Sequence, residues 1–147
     1  KVKSETLFWR EDVAICHPDH PLAEAHGVTL EMLADYPLLL MERSSHSRLL
    51  LEQMLAKAGL MPARLLELGS LEVIKRLVTL NLGVSIVPGY AIAPEIKAGL
   101  LHPTRLPCLP TRSVGVVQRR RGFLSPAGQM FLNLLKNHVP NVWLCPI

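Results

Sequence analysis

Short apolar runs alternate with amphipathic stretches along this chain, and only a few residues separate one from the next. The apolar runs have the length and composition of strands, and they lie at 12–16, 37–41, 63–68, 84–87 and 113–118. The continuous apolar runs at 37–41 and 84–87 are typical of buried strands. Strands that alternate with helices through short connections form sheets that are mostly parallel and are flanked by helices. The sequence therefore predicts an α/β fold of this kind.

The amphipathic stretches begin and end with helix signals. Thr29 precedes a short apolar stretch as a cap residue, and Gly59 follows a longer one that starts behind three serines. Ser125-Pro126 is a strong helix start, and an apolar stripe continues from there to His138. We expect each of these stretches to be a helix that packs on the sheet.

Residues 71–92, LEVIKRLVTLNLGVSIVPGYAI, join a helix to a buried strand through a glycine turn. The helix has one apolar face, and the strand stops at Pro88-Gly89. An enzyme usually places a reactive side chain where such a strand ends, but this corner carries none. It offers open backbone and a rigid turn, which favours the binding of a ligand over catalysis.

Three strand ends carry small, polar or turn residues: 42–47, 69–70 and 87–90. In parallel α/β sheets ligands collect beyond the carboxyl ends of the strands, where the following helices begin. We therefore expect the three segments to form one rim that offers backbone N–H groups and hydroxyls. Helix N-termini suit an anion such as a carboxylate. The serines at 44, 45 and 47 can equally be helix caps, and capping is compatible with ligand contact.

Composition excludes several other classes of protein. With 49% hydrophobic and 19% charged residues, the chain is too apolar to be disordered. No apolar run approaches the roughly 18 residues of a membrane span, and the charged start KVKSETLFWRED lacks the apolar core of a secretory signal. Three widely spaced cysteines, Cys16, Cys108 and Cys145, form no disulfide framework and suit a reducing compartment. We expect a cytoplasmic protein with no membrane contact.

The residues that could carry metal or nucleophilic chemistry lack the required spacing. Cys16, His17, His20 and His26 share a proline-broken loop without the paired ligands of zinc sites. A hydrolase triad of Ser45, His46 and Asp35 has no Gly-x-Ser-x-Gly elbow. Cys108 lies between two prolines in an irregular segment. We therefore expect no catalytic residue, no metal and no cofactor, and we expect that the chain is not an enzyme.

The basic residues do not predict nucleic-acid binding. The net charge is only +4, and Lys and Arg are scattered except at 119–121. Non-specific nucleic-acid binding generally uses a broader basic face. Three arginines beside Gly122 more often form a solvated turn, which is the interpretation that we prefer.

Long segments of the chain resemble the effector-binding domain of LysR-type transcriptional regulators. The resemblance rests on an HPLA loop before TLEMLADYPLL, on the helix at 71–80 followed by NLGVSIVP, and on the closing SPAGQMFLNLLKNHV. It runs from Asp12 to Val139, and its helix–glycine–strand–proline block is quite specific. The resemblance implies a fold like that of type II periplasmic binding proteins, in which two α/β lobes hold an effector between them.

The resemblance also implies how the chain is organised. Residues 1–27 would be the crossover strand and loop from the first lobe, and residues 28–107 the second lobe. Residues 108–147 would hold the return strand, the C-terminal helix of the first lobe and a tail. The first lobe would thus be truncated at its N-terminus. The helix-turn-helix of the family is absent from this sequence, so DNA would be bound only through that domain.

The effector contacts that the resemblance implies lie at the same three strand ends. They are Arg43, Ser44, Ser45, His46 and Ser47 in the first segment, Gly69, Ser70 and Leu71 in the second, and Val87, Pro88 and Gly89 in the third. The partners would be a small-molecule effector, which the helix starts suggest to be anionic, and a second copy of the chain in a homodimer or a higher oligomer. The alternatives are a solute-binding protein of a transporter and a small α/β enzyme, because the fold alone does not separate them.

Overall fold

A five-stranded sheet with helices on both faces, and a two-stranded ribbon beside it, make up residues 1–138. These are the residues that the structure, a computed structural model, describes. The residues from 139 to 147, which include Val139 at the end of the resemblance, Cys145 and the expected tail, lie outside the described residues. No helix among residues 1–138 has both the length and the apolar character that crossing a membrane requires.

The strands and helices follow the expected order. The strands are β1 (Val2–Arg10), β2 (Asp12–Cys16), β3 (Pro37–Met41), β4 (Arg64–Leu68), β5 (Ser85–Pro88), β6 (His102–Thr104) and β7 (Arg112–Arg119). The helices are α1 (Leu30–Ala34), α2 (His46–Lys57), α3 (Leu71–Thr79), α4 (Ala93–Lys97) and α5 (Pro126–His138). Two short 3₁₀ turns lie at Pro21–Ala23 and Gly89–Ile92. The sequence predicts all of these elements except β1, β6 and the two turns, and its signal for α4, the stretch AIAPEIKAG that ends at Gly99, is weak.

The five-stranded sheet has the order β4-β3-β5-β2-β6 and is mostly parallel. β3 pairs parallel with β4. β3 also joins the start of β5, because Leu39 N–H donates to the carbonyl of Val84 at 2.9 Å and Val84 N–H donates to that of Pro37 at 2.9 Å. β2 pairs antiparallel with both β5 and β6, so β6 runs in the same direction as the other three strands. Only β2 runs against them.

Gly83 allows the close contact between β3 and β5. A Cβ atom at this position would collide with the carbonyl oxygen of Pro37, the same oxygen that accepts the N–H of Val84. The preceding helix α3 closes at Asn81, which has a positive φ of 56°. The sequence identifies Gly83 as the end of a helix, but the structure gives it a second role, because a side chain here would separate two strands of the sheet.

The apolar residues of the sheet alternate between two cores, one on each face. On one face Ala14, Leu38, Leu40 and Ile86 pack with residues of α1 and α2. On the other face the intervening strand residues pack with α3 and α4, and this cluster comprises Val13, Ile15, Leu39, Ile74, Val78, Val87, Ile92 and Leu101. Because both faces of β2, β3 and β5 are covered, these strands read as continuous apolar runs in the sequence, whereas β4 at the edge of the sheet is largely exposed.

The ribbon consists of β1 and β7, which pair antiparallel from Val2↔Arg119 to Arg10↔Arg112, with a register shift between Thr6 and Phe8. The last helix α5 follows it, and the Ser125 hydroxyl accepts the N–H of Gly128 at its start, 3.1 Å away. Lys136 of α5 forms an ion pair with Glu5 of β1 at 2.6 Å. The ribbon joins the five-stranded sheet through Glu11 and through the connection at 105–111, both at the same edge of that sheet.

Candidate functional site

The carboxyl edge of the five-stranded sheet brings together the segments that were predicted to form a rim. β3 ends there at Met41, β4 at Leu68 and β5 at Pro88. Helices α2 and α3 and the turn at Gly89–Ile92 begin immediately beyond these strands. Asp12, the first residue of β2, lies opposite Pro88, so the chain enters from the ribbon at this same edge.

A pocket of about 200 Å³ opens at this edge, between the start of α2 and the end of β1. Ten residues line it: Arg10, Leu40, Met41, Ser45, His46, Ser47, Arg48, Leu71, Ile86 and Pro88. Five of them, Ser45, His46, Ser47, Leu71 and Pro88, are among the residues that the resemblance implies. The pocket therefore joins residues from all three predicted segments.

The other six implied residues do not line this pocket. Arg43, Ser44 and Gly69 are exposed, and Ser70 is half-buried at the start of α3. Val87 and Gly89 are buried beneath the rim. These residues flank or support the pocket, since each is next to or near a lining residue in the chain.

The serine hydroxyls at the starts of α2 and α3 are not used as caps. Ser45 is the N-cap residue of α2 and Ser70 that of α3, but neither side chain makes a capping hydrogen bond. The hydroxyl of Ser44 instead donates to Glu42 at 3.0 Å, and that of Ser47 accepts from Arg112 at 2.8 Å. The first N–H groups of a helix have no partner within the helix, so the start of α2 offers donors to the pocket.

Arg10 is a pocket residue that the sequence did not identify. It ends β1 and lines the pocket. Within residues 1–138 its guanidinium forms no ion pair, unlike that of Arg112. Its cross-strand neighbour Arg112 is neutralised by Asp12. Arg10 therefore brings a positive charge to a pocket that already faces the positive end of a helix dipole. The signal that could have identified it is its position just before the buried strand β2.

Arg48 also lines the pocket, but its charge is already used. It is buried, and its guanidinium donates to Glu52 and Glu67, both at 2.8 Å, and to the carbonyl of Met41 at 2.9 Å. Burial alone would lower the pKa of Arg48, but the hydrogen bonds to the two carboxylates outweigh it and the pKa is raised. Arg48 thus ties α2 to the ends of β3 and β4 and holds the shape of the pocket.

A second polar contact joins the pocket to the ribbon. Arg112, the first residue of β7, donates to a carboxylate oxygen of Asp12 and to the hydroxyl of Ser47. Asp12 is almost fully buried. Its second oxygen Oδ1, and Nε of Arg112, are buried without a hydrogen-bond partner within residues 1–138. Three elements, β2, β7 and α2, therefore meet at one incompletely satisfied ion pair.

Of the candidate residues for metal or nucleophilic chemistry, Ser45 and His46 line the pocket, whereas Asp35 is the C-cap residue of α1 and the others lie outside the lining. Within residues 1–138, no three His, Cys, Asp or Glu side chains are grouped so that they could hold a metal ion. Burial raises the pKa of the Cys16 thiol to about 11, so this cysteine is a protonated core residue. His20 is buried against the ring of Tyr36, and Cys108 is exposed.

The family model of the LysR substrate binding domain matches residues 1–140. The chain belongs to this family. The family is one of regulator domains and is not a known class of enzyme. Its curated relatives include the HTH-type transcriptional regulators YbhD of Escherichia coli K12 and CysB of Burkholderia cenocepacia. YbhD is 32% identical over 125 residues, which are 85% of this chain and 39% of that protein. CysB is 40% identical over 93 residues, 63% of this chain and 30% of that protein.

Solved structures of LysR regulatory domains share the fold. The CcmR regulatory domain of Synechocystis PCC6803 in complex with 2-PG superposes with a TM-score of 0.83 and 25% identity, covering 96% of this chain and 68% of that one. The effector-binding domain of QuiR in complex with shikimate gives a TM-score of 0.75 at 19% identity, covering 97% and 68%. The periplasmic-binding-protein-like α/β fold is thus confirmed. The chain spans less than two fifths of the length of YbhD and CysB.

Proposed function

We propose that this chain is the sensing module of a LysR-type transcriptional regulator and that a small anionic effector binds in the pocket at the carboxyl edge. One observation carries the proposal: Arg10 and the start of α2 line the same pocket. The guanidinium supplies a charge that no described acidic residue neutralises, and the helix start supplies free N–H groups. Both favour a carboxylate or a phosphate.

The size of the pocket limits what it holds. Its volume of about 200 Å³ is below the range of roughly 300–1,000 Å³ that is usual for sites of drug-sized ligands. A small metabolite, or the anionic end of a larger one, fits this space. The complexes of CcmR with 2-PG and of QuiR with shikimate support an effector of this size.

The hydroxyls and the flanking residues complete the proposed site. The hydroxyls of Ser45 and Ser70 are not used for capping. That of Ser45 lines the pocket and can bond to the effector, whereas Ser70 lies beside the lining residue Leu71. Leu71 and Pro88 supply apolar walls. The implied residues outside the lining would act around it, with Arg43, Ser44 and Gly69 at the exposed rim and Val87 and Gly89 through buried backbone support.

The proposed organisation follows the family. Residues 28–107 act as the second lobe, and residues 1–27 and 108–147 belong to the crossing strands and to the first lobe. Effector binding shifts the relation of the lobes, and the shift passes to a DNA-binding domain in the same regulator. The protein acts in the cytoplasm as a dimer and is not an enzyme. The family match favours this function over a transporter's solute-binding protein, which shares the fold.

Calorimetric titration with 2-PG and with shikimate tests the proposal. We expect one of these anions to bind, and Arg10→Met to weaken its binding roughly tenfold or more, because a charge-assisted hydrogen bond is lost. Arg64→Met is the matched control, since Arg64 is an exposed arginine at the opposite end of the sheet. Equal loss in both variants, or unchanged binding in Arg10→Met, would contradict the assignment of the pocket.

A further inference from the structure

We propose that Arg112 is a positioning residue that couples the effector pocket to the ribbon. It acts through the contact among Asp12, Arg112 and Ser47, which we call the clasp. The ligand-dependent part of this inference rests on the proposed function. The clasp itself is a property of the chain without ligand.

The clasp lies where the chain crosses between the ribbon and the five-stranded sheet. Asp12 is the first residue after the crossing from β1, and Arg112 begins β7 after the return connection at 105–111. Ser47 belongs to the first turn of α2 and lines the pocket. The guanidinium of Arg112 therefore connects the two crossings through its hydrogen bond to Asp12, and it connects them to the pocket through its hydrogen bond to Ser47.

Burial makes these contacts sensitive to geometry. The side chain of Asp12 is 2% exposed and that of Arg112 is 14% exposed, so water replaces a lost contact poorly. A second ion pair at the same crossing is different. Arg105 and Glu11 are 3.7 Å apart and are 60% and 47% exposed, and exposed pairs of this kind contribute little.

The clasp has unused hydrogen-bonding capacity. Asp12 Oδ1 and Arg112 Nε are buried without partners in the described part of the chain, and orphaned buried groups are costly. A shift of the α2 start would move Ser47 and so change the hydrogen bond that Arg112 donates to it. An anion that draws on the α2 N–H groups acts on the same helix turn as Ser47. Occupancy of the pocket can thus change the position of β7.

Hydrogen exchange of the chain without ligand tests the clasp. Ser47→Ala removes the contact to α2 and leaves the pair of Asp12 and Arg112. We expect amide exchange to accelerate roughly tenfold at the start of β7 as well as in the first turn of α2, because local opening costs less once this hydrogen bond is lost. Ser47→Thr keeps a hydroxyl and should restore protection at both places. Arg105→Met should leave both unchanged.

An effect of Ser47→Ala that stays within α2, or an equal effect of Arg105→Met on β7, would overturn the inference. Arg112→Lys provides a second variant, because it keeps a positive charge but its side chain is one bond shorter than the path to Nη2, the arginine atom that makes both hydrogen bonds. Arg112→Lys should accelerate amide exchange in the first turn of α2 by about the same factor as Ser47→Ala accelerates it at the start of β7. If amide exchange in α2 of Arg112→Lys is as slow as in the unsubstituted chain, the inference is also overturned.

The ligand-dependent experiment uses 2-PG and shikimate as probes. In the unsubstituted chain, binding should slow exchange in α2 and change it at the start of β7. In Arg112→Lys the change in α2 should persist and the change in β7 should disappear. A β7 response that survives in this variant overturns the coupling. If neither anion binds the unsubstituted chain, the proposed function fails for these probes, and the exchange data without ligand still decide whether the clasp exists.

Discussion

The five-stranded sheet and the ribbon with α5 differ sharply in what they bury. Every buried apolar residue of the described chain except Leu132 lies between Val13 and Leu106. By contrast, the ribbon, α5 and the connection between them expose large apolar side chains, among them Val117, Phe123, Met130, Phe131 and Leu134. The sheet has helices on both faces, whereas the ribbon has two strands and one helix.

This difference indicates where the stability of the chain originates. Apolar burial contributes roughly 25 cal/mol per Å², and nearly all of it comes from the two cores of the five-stranded sheet. A two-stranded ribbon is marginally stable by itself. The ribbon therefore depends on its contacts with the sheet and on whatever covers its apolar side, while the sheet supplies a rigid base for the pocket.

Substitution in the core should give the largest effect. Leu38 is fully buried in the first core, whereas Leu134 of α5 is 52% exposed. Leu38→Ala should lower the free energy of unfolding by about 2–5 kcal/mol, because it removes apolar contacts and leaves a cavity. Leu134→Ala should change it by about 0.5 kcal/mol or less. Urea denaturation measures both values. Comparable losses would break the distinction between the two regions.

Loss of a polar contact should also lower the free energy of unfolding more in the sheet region than in the ribbon with α5. Arg48→Met in the sheet region should cost about 1.5–3 kcal/mol, because three hydrogen bonds of a buried guanidinium are lost. Its carboxylate partners are 38% and 49% exposed and rehydrate, which limits the loss. Lys136→Met removes the more exposed tie to Glu5 and should have little effect. Denaturation at constant ionic strength compares them, and a larger loss in Lys136→Met would contradict this expectation.

Much of the fold could be predicted from the sequence, because buried strands leave a local signal. β3 and β5 are covered on both faces and appear as continuous apolar runs. β1 is mostly exposed and starts Val2-Lys3-Ser4-Glu5, so no apolar pattern identifies it. β6 contains Pro103, which a strand at the edge of a sheet tolerates but which conceals it in the sequence.

The site could be predicted only in part, and for a related reason. The helix starts at 45–47 and 71 and the corner at Pro88 follow recognisable strands. Arg10 ends β1, a strand that the sequence does not reveal, so the only local signal for its place in the pocket is its position just before β2. The contact between Asp12 and Arg112 joins residues that are 100 positions apart. No local pattern specifies such a pair, because it depends on how the ribbon returns to the sheet.

The exposed apolar side of α5 should make the chain self-associate. We expect sedimentation at micromolar concentration to give a species heavier than the single-chain mass of 16.3 kDa. Phe131→Ser should shift the equilibrium toward the single chain, because Phe131 is 63% exposed on α5. Leu80→Ser, at a 60% exposed position beside α3, is the control in the sheet region and should not. A single chain in all three samples would show that the exposed side does not mediate association.

The smallest expected effect is a pH dependence that belongs to the sheet region. Burial lowers the pKa of His20 below its ordinary value of 6.5, and the charge of nearby His17 lowers it further. In the folded chain Nδ1 of His20 accepts the N–H of Leu22 at 3.2 Å, which requires that nitrogen to be unprotonated. The unfolded chain therefore binds a proton more readily than the folded chain.

The sign of the effect follows from linkage. Where the unfolded state binds more protons, stability rises with pH, so the contribution of His20 is complete above 6.5 and is lost as the pH falls from there through the folded pKa. Its slope cannot exceed about 1.4 kcal/mol per pH unit for one proton. His20→Asn keeps an acceptor for the Leu22 N–H but does not titrate. In urea denaturation between pH 7.5 and 5.5, the free energy of unfolding should therefore fall more steeply with decreasing pH in the unsubstituted chain than in His20→Asn. An equal fall in both would show that burial of His20 contributes no pH dependence.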